Sequence, residues 1–471
     1  MPSFANARLL LAVAMLCATP WSCSTSMAAA PDEGLRPCGN NPRYWQYRGQ
    51  AVLLLGGSED DNLFQLPHLK EHLDAMRAAG GNYIRNTMSD RPDRGFEVYA
   101  YARRDDGKFD LSLWNDEYWT RFENLLRWTH ERQIFVQIEV WDRFDFFGDN
   151  WQAHPYNPAN NNSYSGEQSG LADRYSDHPG QNKQPLFFTT PEQRNNQLLL
   201  AIQQRFVAKM LSYALRYDHV LFCMDNETSA EEAWGAYWAD FIRAAAATAG
   251  RTVYLTEMWD DWNLQGPHHR RTLDHPERYA FVDVSQNNHN NGQKHWDNFQ
   301  WVRRRIAEHP RPVNTVKTYG ADGGRFGNSK DGVERFWRHV IGGAAAARFH
   351  RPDSGLGLGQ PAIASLAAAR KMESLVQPWN CEPALELLRD REPNEAYATA
   401  RPGHEYALYF PAAGSVGLNL TDAPGTFTVR WIHIADGAWG EMRRESGGTT
   451  LRLEAPGNDG WLAVVTRDSE K

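Results

Sequence analysis

From residue 51 to about 375, short apolar runs alternate with stretches whose apolar positions recur every three to four residues. Runs at 51–55, 82–86, 134–140, 220–224, 252–256, 280–284, 313–317 and 347–350 read as strands. Between them, Leu66, Leu69, Leu73 and Met76 repeat at helical spacing, and further helices are expected over 116–132, 192–216, 230–247, 295–308, 331–341 and 361–376. A long polar insertion rich in Asn, Gly and Ser occupies 142–185. Eight such strands, each leading into helical or polar sequence, predict an α/β chain built as a (β/α)8 TIM barrel over 31–390, with an N-terminal extension. An open nucleotide-binding sheet fits less well, because Gly56-Gly57-Ser58 after the first run lacks the spacing of a phosphate loop. After about residue 395 the pattern changes. Runs at 406–410, 415–420, 427–434, 449–453 and 461–466, separated by Gly, Pro and Asp, predict a small antiparallel β-sandwich-like domain over 396–471.

Composition narrows the class. Hydrophobic residues make up 41% of the 471, ordinary for a globular chain. With 50 Lys+Arg against 58 Asp+Glu, the net charge of −8 argues against a nucleic-acid partner. No apolar run is long enough for a transmembrane segment. Residues 1–30 have the three parts of an export signal: Arg8, the apolar run 9–18, and Ala28-Ala29-Ala30 as a cleavage site. The expected location is therefore secreted or periplasmic. Cys38, Cys223 and Cys381 remain after cleavage. Cys223 reads as a buried thiol, and pairing of Cys38 with Cys381 is left open.

Barrel enzymes place their chemistry where the strands end. Here those ends carry Ser58 to Asn62, Arg85-Asn86, Glu139 to Asp142, Asp225-Asn226-Glu227, Glu257 to Asp260, Asp283 and then Gln286-Asn287-Asn288-His289, Lys317-Thr318-Tyr319 and His350-Arg351. A ring of carboxylates, amides and tryptophans suits glycosidic bonds, which need two carboxyl groups, hydroxyl-binding amides and flat faces for sugar rings. It contains no nucleophile elbow and no evident metal cluster, and no cofactor or metal is implied.

Asn226-Glu227 after an apolar fourth strand resembles the Asn-Glu pair of the (β/α)8 retaining glycoside hydrolases grouped as clan A. The resemblance implies that Glu227 is the acid/base and that Asn226 holds a sugar hydroxyl. Residues 44–49, 53–57 and 81–86 resemble the apiosidase-like families of secreted bacterial barrels, and 414–420 with 427–434 resembles the collagen-binding-type domain that often follows them. Clan A places its nucleophile, a Glu, at the end of strand seven. Here that segment reads Val313 to Gly320 without one.

The expected function is therefore a secreted glycoside hydrolase acting on a poly- or oligosaccharide by a two-carboxylate mechanism. Glu227 serves as proton donor, which needs a raised pKa. Glu257 is the preferred second acid, with Asp283, Glu139 and Asp322 as alternatives. Arg85, Asn86, Trp141, Asn226, His289 and Tyr319 are expected to bind sugar. Arg85, Lys317 and His289 add positive charge suited to an acidic glycan. Two other classes remain. One is a non-catalytic glycan-binding barrel, favoured by the missing strand-seven Glu. The other is a secreted zinc peptidase, because His68-Leu69-Lys70-Glu71-His72 matches an H-x-x-E-H pattern; the helical wheel puts both histidines on a solvated face without a third ligand. His268 to Arg271 reads as an exposed loop. The Asn287 to Asn291 run, Trp141, Trp259 and Trp262 each suit either sugar contact or ordinary structural roles.

Overall fold

The computed structural model of the protein describes residues 34–178, 183–321 and 323–468; the expected export signal and Asp322 lie outside them. Eight parallel strands run in chain order: β1 (Leu54–Gly57), β2 (Tyr83–Thr87), β3 (Phe135–Asp142), β4 (Val220–Asn226), β5 (Leu255–Thr256), β6 (Val282–Asp283), β7 (Val313–Thr318) and β8 (Ala346–Phe349). They form two four-stranded sheets, ordered β5-β4-β3-β2 and β6-β7-β8-β1. Asn82 joins the sheets between β1 and β2: its backbone N–H donates to the Leu55 carbonyl at 2.7 Å, and its side-chain oxygen accepts from Leu55 N at 2.8 Å.

The first apolar run divides into two elements. Gln50–Val52 pairs antiparallel with Trp45–Tyr47, and the parallel strand begins only at Leu54. Arg48 and Gly49 have φ of +50° and +76°, the tight hairpin turn that reverses the chain there. This ribbon carries Trp45 into the core, where its Nε1 donates to Asn314 Oδ1 at 3.0 Å and its ring meets Phe281 edge-on at 5.4 Å. Trp45, Tyr83, Phe135, Leu221 and Phe281 form part of one buried cluster near the strand starts. That end is filled, which leaves the opposite end for a cleft.

Helices follow the strands: α1 (Leu69–Ala78), α2 (Asp116–Glu131), α3 (Gln197–Ala214), α4 (Glu232–Thr248), α5 (Pro267–Leu273), α6 (Gly292–Arg305), α7 (Ser329–Ile341) and α8 (Gln360–Glu373). In α2, the Asn115 side chain accepts from Glu117 N at 3.1 Å, and Tyr118, Phe122, Leu125 and Leu126 repeat on the buried face. The segment expected as an exposed loop at His268 to Arg271 is α5. Pro267 presets its first turn, and His269 is buried with Nε2 2.6 Å from the Asp261 carbonyl oxygen.

Beyond residue 381 all strand pairs are antiparallel. One sheet holds six strands, including Tyr397–Arg401, Glu405–Phe410, Thr426–His433 and Trp461–Arg467. The other joins Leu388–Arg389, Ser415–Asn419 and Thr450–Glu454. Leu408, Phe410, Val416, Leu418, Val429 and Leu453 share the core these strands enclose. The edge strand Trp439–Ser446 escapes the hydrophobic pattern because it pairs with Thr426–His433 alone and has no buried position. Tyr397, Tyr409 and Ile432 belong to the same apolar cluster as Trp337 of α7, and Tyr397 lies 4.8 Å from the Trp296 ring of α6. Cys38, Cys223 and Cys381 are buried free thiols. Among the described residues no helix is long and apolar enough to cross a membrane.

Candidate active site

A cleft of about 290 Å³ opens where β1, β4, β7 and β8 end, walled by Asp61, Asn226, Glu227, Lys317, Tyr319 and Arg351. Phe144, Phe147 and Asn150 of the polar insertion form its far side. Glu227 follows the last residue of β4 with φ +52°, a left-handed backbone that a residue with a Cβ adopts at a cost of about 1–2 kcal/mol. Its Oε1 accepts from Lys317 Nζ at 2.5 Å and from Gln286 Nε2 at 2.9 Å. Lys317 Nζ also donates to Asn226 Oδ1 at 2.6 Å. Asn288 donates to the backbone oxygens of Lys317 and Ser285 and accepts from Tyr319 N at 3.1 Å, which fixes the end of β7 beneath Glu227.

Burial alone pushes the Glu227 carboxyl up, but Lys317, then Arg85 and the Gln286 hydrogen bond, outweigh it and hold the pKa below the ordinary glutamate value. The expectation of a raised, proton-donating Glu227 is therefore corrected: the resting group is an ionised carboxylate. Asp61 is also ionised. Burial raises it, yet Arg85, His350, Arg351 and Arg348 together take it well below its usual range. Tyr319 packs against His350 at 4.5 Å and Phe326 at 4.5 Å, and His289 meets the Phe326 ring at 5.3 Å.

The segments after β4 and β5 stay paired beyond the strands. Thr228 N donates to the Met258 carbonyl and Asp260 N to the Thr228 carbonyl, each at 2.8 Å, and Thr228 bridges to Trp259 in parallel. Glu227 and Asp260 thus flank one bridge. Partial desolvation, then the Glu227 charge, raise the Asp260 carboxyl, although Lys317 opposes this.

Of the residues singled out from sequence, Asn226, Glu227 and Tyr319 line the cleft, and His289 stands beside it. Arg85 does not reach it: fully buried, it donates to Glu139 Oε2 at 2.7 Å and pairs with Asp61. Asn86 points the other way, because side chains alternate along β2. Its Oδ1 accepts from Phe64 N at 3.0 Å. Trp141 is buried among Trp238, Phe206 and Trp234 at 5.2–5.9 Å. Glu257 also faces outward, on the same side as Leu255. Its Oε1 accepts from Asp225 N and Met258 N at 3.0 Å, and a Cβ built on Gly235 of α4 would sit 2.5 Å from its Oε2. Burial, then the Asp225 charge, raise Glu257 well above its usual range. Asp283 is buried, accepts from Ser285 N at 2.8 Å, and is pushed up to about 7, mainly by burial.

Trp259 is buried and donates to Thr272 at 2.8 Å, whereas Trp262 is 56% exposed with Lys294 over its ring. The Asn287 side chain holds the His295 carbonyl, so this amide of the Asn-rich run serves the loop itself. His72 is buried, contrary to the solvated position expected. His68 immediately precedes α1 and contacts Glu59, and among the described residues no cluster able to hold a metal contains either histidine. Asp61, Gln286, His350, Arg351 and Asp260 were missed as site residues. All five stand at strand ends in the sequence, but only their partners separate them from the neighbours that turn away.

No protein-family model matches the chain, and no curated protein matches it in sequence. Solved structures do. A glycoside hydrolase family 5 protein from Bacteroides vulgatus superposes with a TM-score of 0.62 at 11% identity over 93% of this chain and 94% of its own. A second structure, described as a glycoside hydrolase, gives 0.62 at 10% identity over 93% and 98%. A noncanonic maltogenic alpha-amylase from Thermotoga neapolitana gives 0.50 at 12% identity over 88% and 99%. With 93% of the chain covered, the shared fold takes in both the parallel-strand region and the C-terminal antiparallel strands of this α/β protein.

Proposed function

We propose that this protein is an exported glycoside hydrolase whose parallel strands close as a (β/α)8 barrel, and that the Glu227 cleft cleaves a glycosidic bond in an oligo- or polysaccharide. The observation that carries the reading is the pair Glu227 and Asp260, set at the two ends of one backbone bridge with pKa values pushed in opposite directions. Asp260 donates its proton to the leaving glycosidic oxygen. The Glu227 carboxylate acts at the anomeric carbon, directly or by taking a proton from water. Asn226, Tyr319 and the Arg351–Asp61 pair offer donors and acceptors to sugar hydroxyls.

The test is a screen of the purified protein on plant, algal and microbial polysaccharides, followed by two variants. Glu227→Gln lowers turnover of the natural glycan and of aryl glycosides alike, by ~10²–10⁴-fold. Asp260→Asn spares aryl glycosides, whose leaving groups need little protonation. The pH profile is bell-shaped with an acidic optimum. Its acid limb comes from protonation of Glu227 below the ordinary glutamate range, its alkaline limb from deprotonation of Asp260 above the ordinary aspartate range. Normal turnover by folded Glu227→Gln removes the mechanism. A second reading, a glycan-binding barrel without turnover, draws support from Lys317, which stands where the clan A resemblance expects a nucleophilic Glu. Binding without product across the screen selects it.

A further inference from the structure

At the end of the strands opposite the cleft, three ligand-bearing side chains converge. His130 lies in the last turn of α2, while Asp218 and His219 immediately precede β4. One ligand atom from each falls within a sphere where all three are no more than 4.8 Å apart. The Thr129 hydroxyl already donates to the carbonyl oxygens of Leu125 and Leu126, at 2.7 and 3.0 Å. His219 Nε2 lies 2.9 Å from the same Oγ1, which accepts from it when the single hydroxyl hydrogen points to either carbonyl. With that arrangement the His219 proton sits on Nε2 and its Nδ1 presents a bare lone pair. That Nδ1 is buried without a hydrogen-bond partner in a side chain 1% exposed, and His130 Nδ1 is likewise buried and unpartnered. Asp218 Oδ1 lies 3.6 Å from His130 Nδ1 and accepts from the Tyr47 hydroxyl at 3.2 Å.

We infer that His130, Asp218 and His219 form a binding site for a divalent transition metal, zinc by its ligand chemistry. Two imidazole nitrogens and one carboxylate oxygen are a zinc donor set, and the half-exposed His130 and Asp218 leave a fourth position for water. A tetrahedral zinc about 2.1 Å from each ligand sets ligand atoms about 3.4 Å apart. The His130–Asp218 separation is close to that value, and His219 lies within 4.8 Å of both. The Tyr47 hydroxyl supplies the outer hydrogen bond that orients the carboxylate. The metal would tie the end of α2, the start of β4 and the N-terminal ribbon together.

A second three-ligand group, Asp90, Asp145 and His154, does not qualify by the same reasoning. There His154 Nδ1 accepts from Tyr156 N at 3.0 Å, which puts the ring proton on Nε2, facing Asp90.

The test uses the full chain without a polyhistidine tag, stripped with chelator and titrated calorimetrically with zinc chloride. One zinc per chain is expected, with a rise in Tm on addition. Cobalt(II) in its place gives the intense visible bands of a tetrahedral site. His130→Ala and Asp218→Asn, both at half-buried positions that tolerate change, weaken binding by at least ~10–100-fold and abolish the Tm rise, whereas Asp90→Asn leaves both intact. Absence of zinc binding by the stripped protein overturns the inference, as does binding that both variants leave unchanged.

Discussion

Glu227 and Glu257 end neighbouring strands and lie near basic side chains, yet their carboxyls are driven in opposite directions. On the cleft side, Glu227 receives an ammonium at 2.5 Å and an amide at 2.9 Å on the same oxygen. On the helix side, Glu257 receives only two backbone amides, has a carboxylate neighbour in Asp225, and leaves its Oε2 without a partner. Burial acts on both in the same sense. What differs is whether a cation touches the group, and this decides which glutamate is ionised.

Removing that cation is the largest test of the contrast. In Lys317→Met, Glu227 loses its compensating charge and its pKa rises. Breaking a buried pair in this way costs about 3–5 kcal/mol. Because the raised group must be protonated to fold well, the loss is fullest near neutral pH and shrinks as pH falls through the new pKa. Denaturant unfolding at pH 5 and pH 8 reads it, and the acid limb of activity moves up as well. Equal destabilisation at both pH values would contradict the account. Gln286→Met removes one hydrogen bond to the same carboxylate, worth about 1.5–3 kcal/mol, and moves the acid limb in the same direction by less.

Glu257→Gln is the smallest effect and the complement. Turnover is unchanged, because the side chain faces α4. Glu257, with Asp225 and Asp283, both pushed up to about 7, has a folded pKa above its unfolded value. Their contribution is complete below the ordinary carboxylate range and is lost as pH rises through the folded values. Wild-type Tm therefore declines on the way from pH 5 to pH 8, and Glu257→Gln flattens that decline. An unchanged slope would place the titrating groups elsewhere.

The repeat of apolar runs and helical stretches made the eight parallel strands and the switch to antiparallel strands legible before any coordinates. Glu227 was legible too, because an Asn-Glu pair closing an apolar run is a local signal. What the chain did not reveal was which way each strand-end side chain points. β5 and β6 are two residues long, too short for an alternation to be read, so Glu257 was assigned to the wrong face. Arg85 and Asn86 illustrate the same limit from the other side. The first points inward but is consumed by Asp61 and Glu139, and the second points outward. His130 and His219 are 89 positions apart, and nothing local announces that α2 brings them to one place.

The apolar seam between α6, α7 and the C-terminal sheets has a consequence for how the molecule can be cut. Tyr397 and Tyr409 lean on Trp296 and Trp337, so the wall behind β7 is built partly from the last quarter of the chain. Those strands are not a pendant module on a string. They are a buttress, and any partner they grip is held at one fixed bearing to the cleft, with no slack to search the surrounding volume.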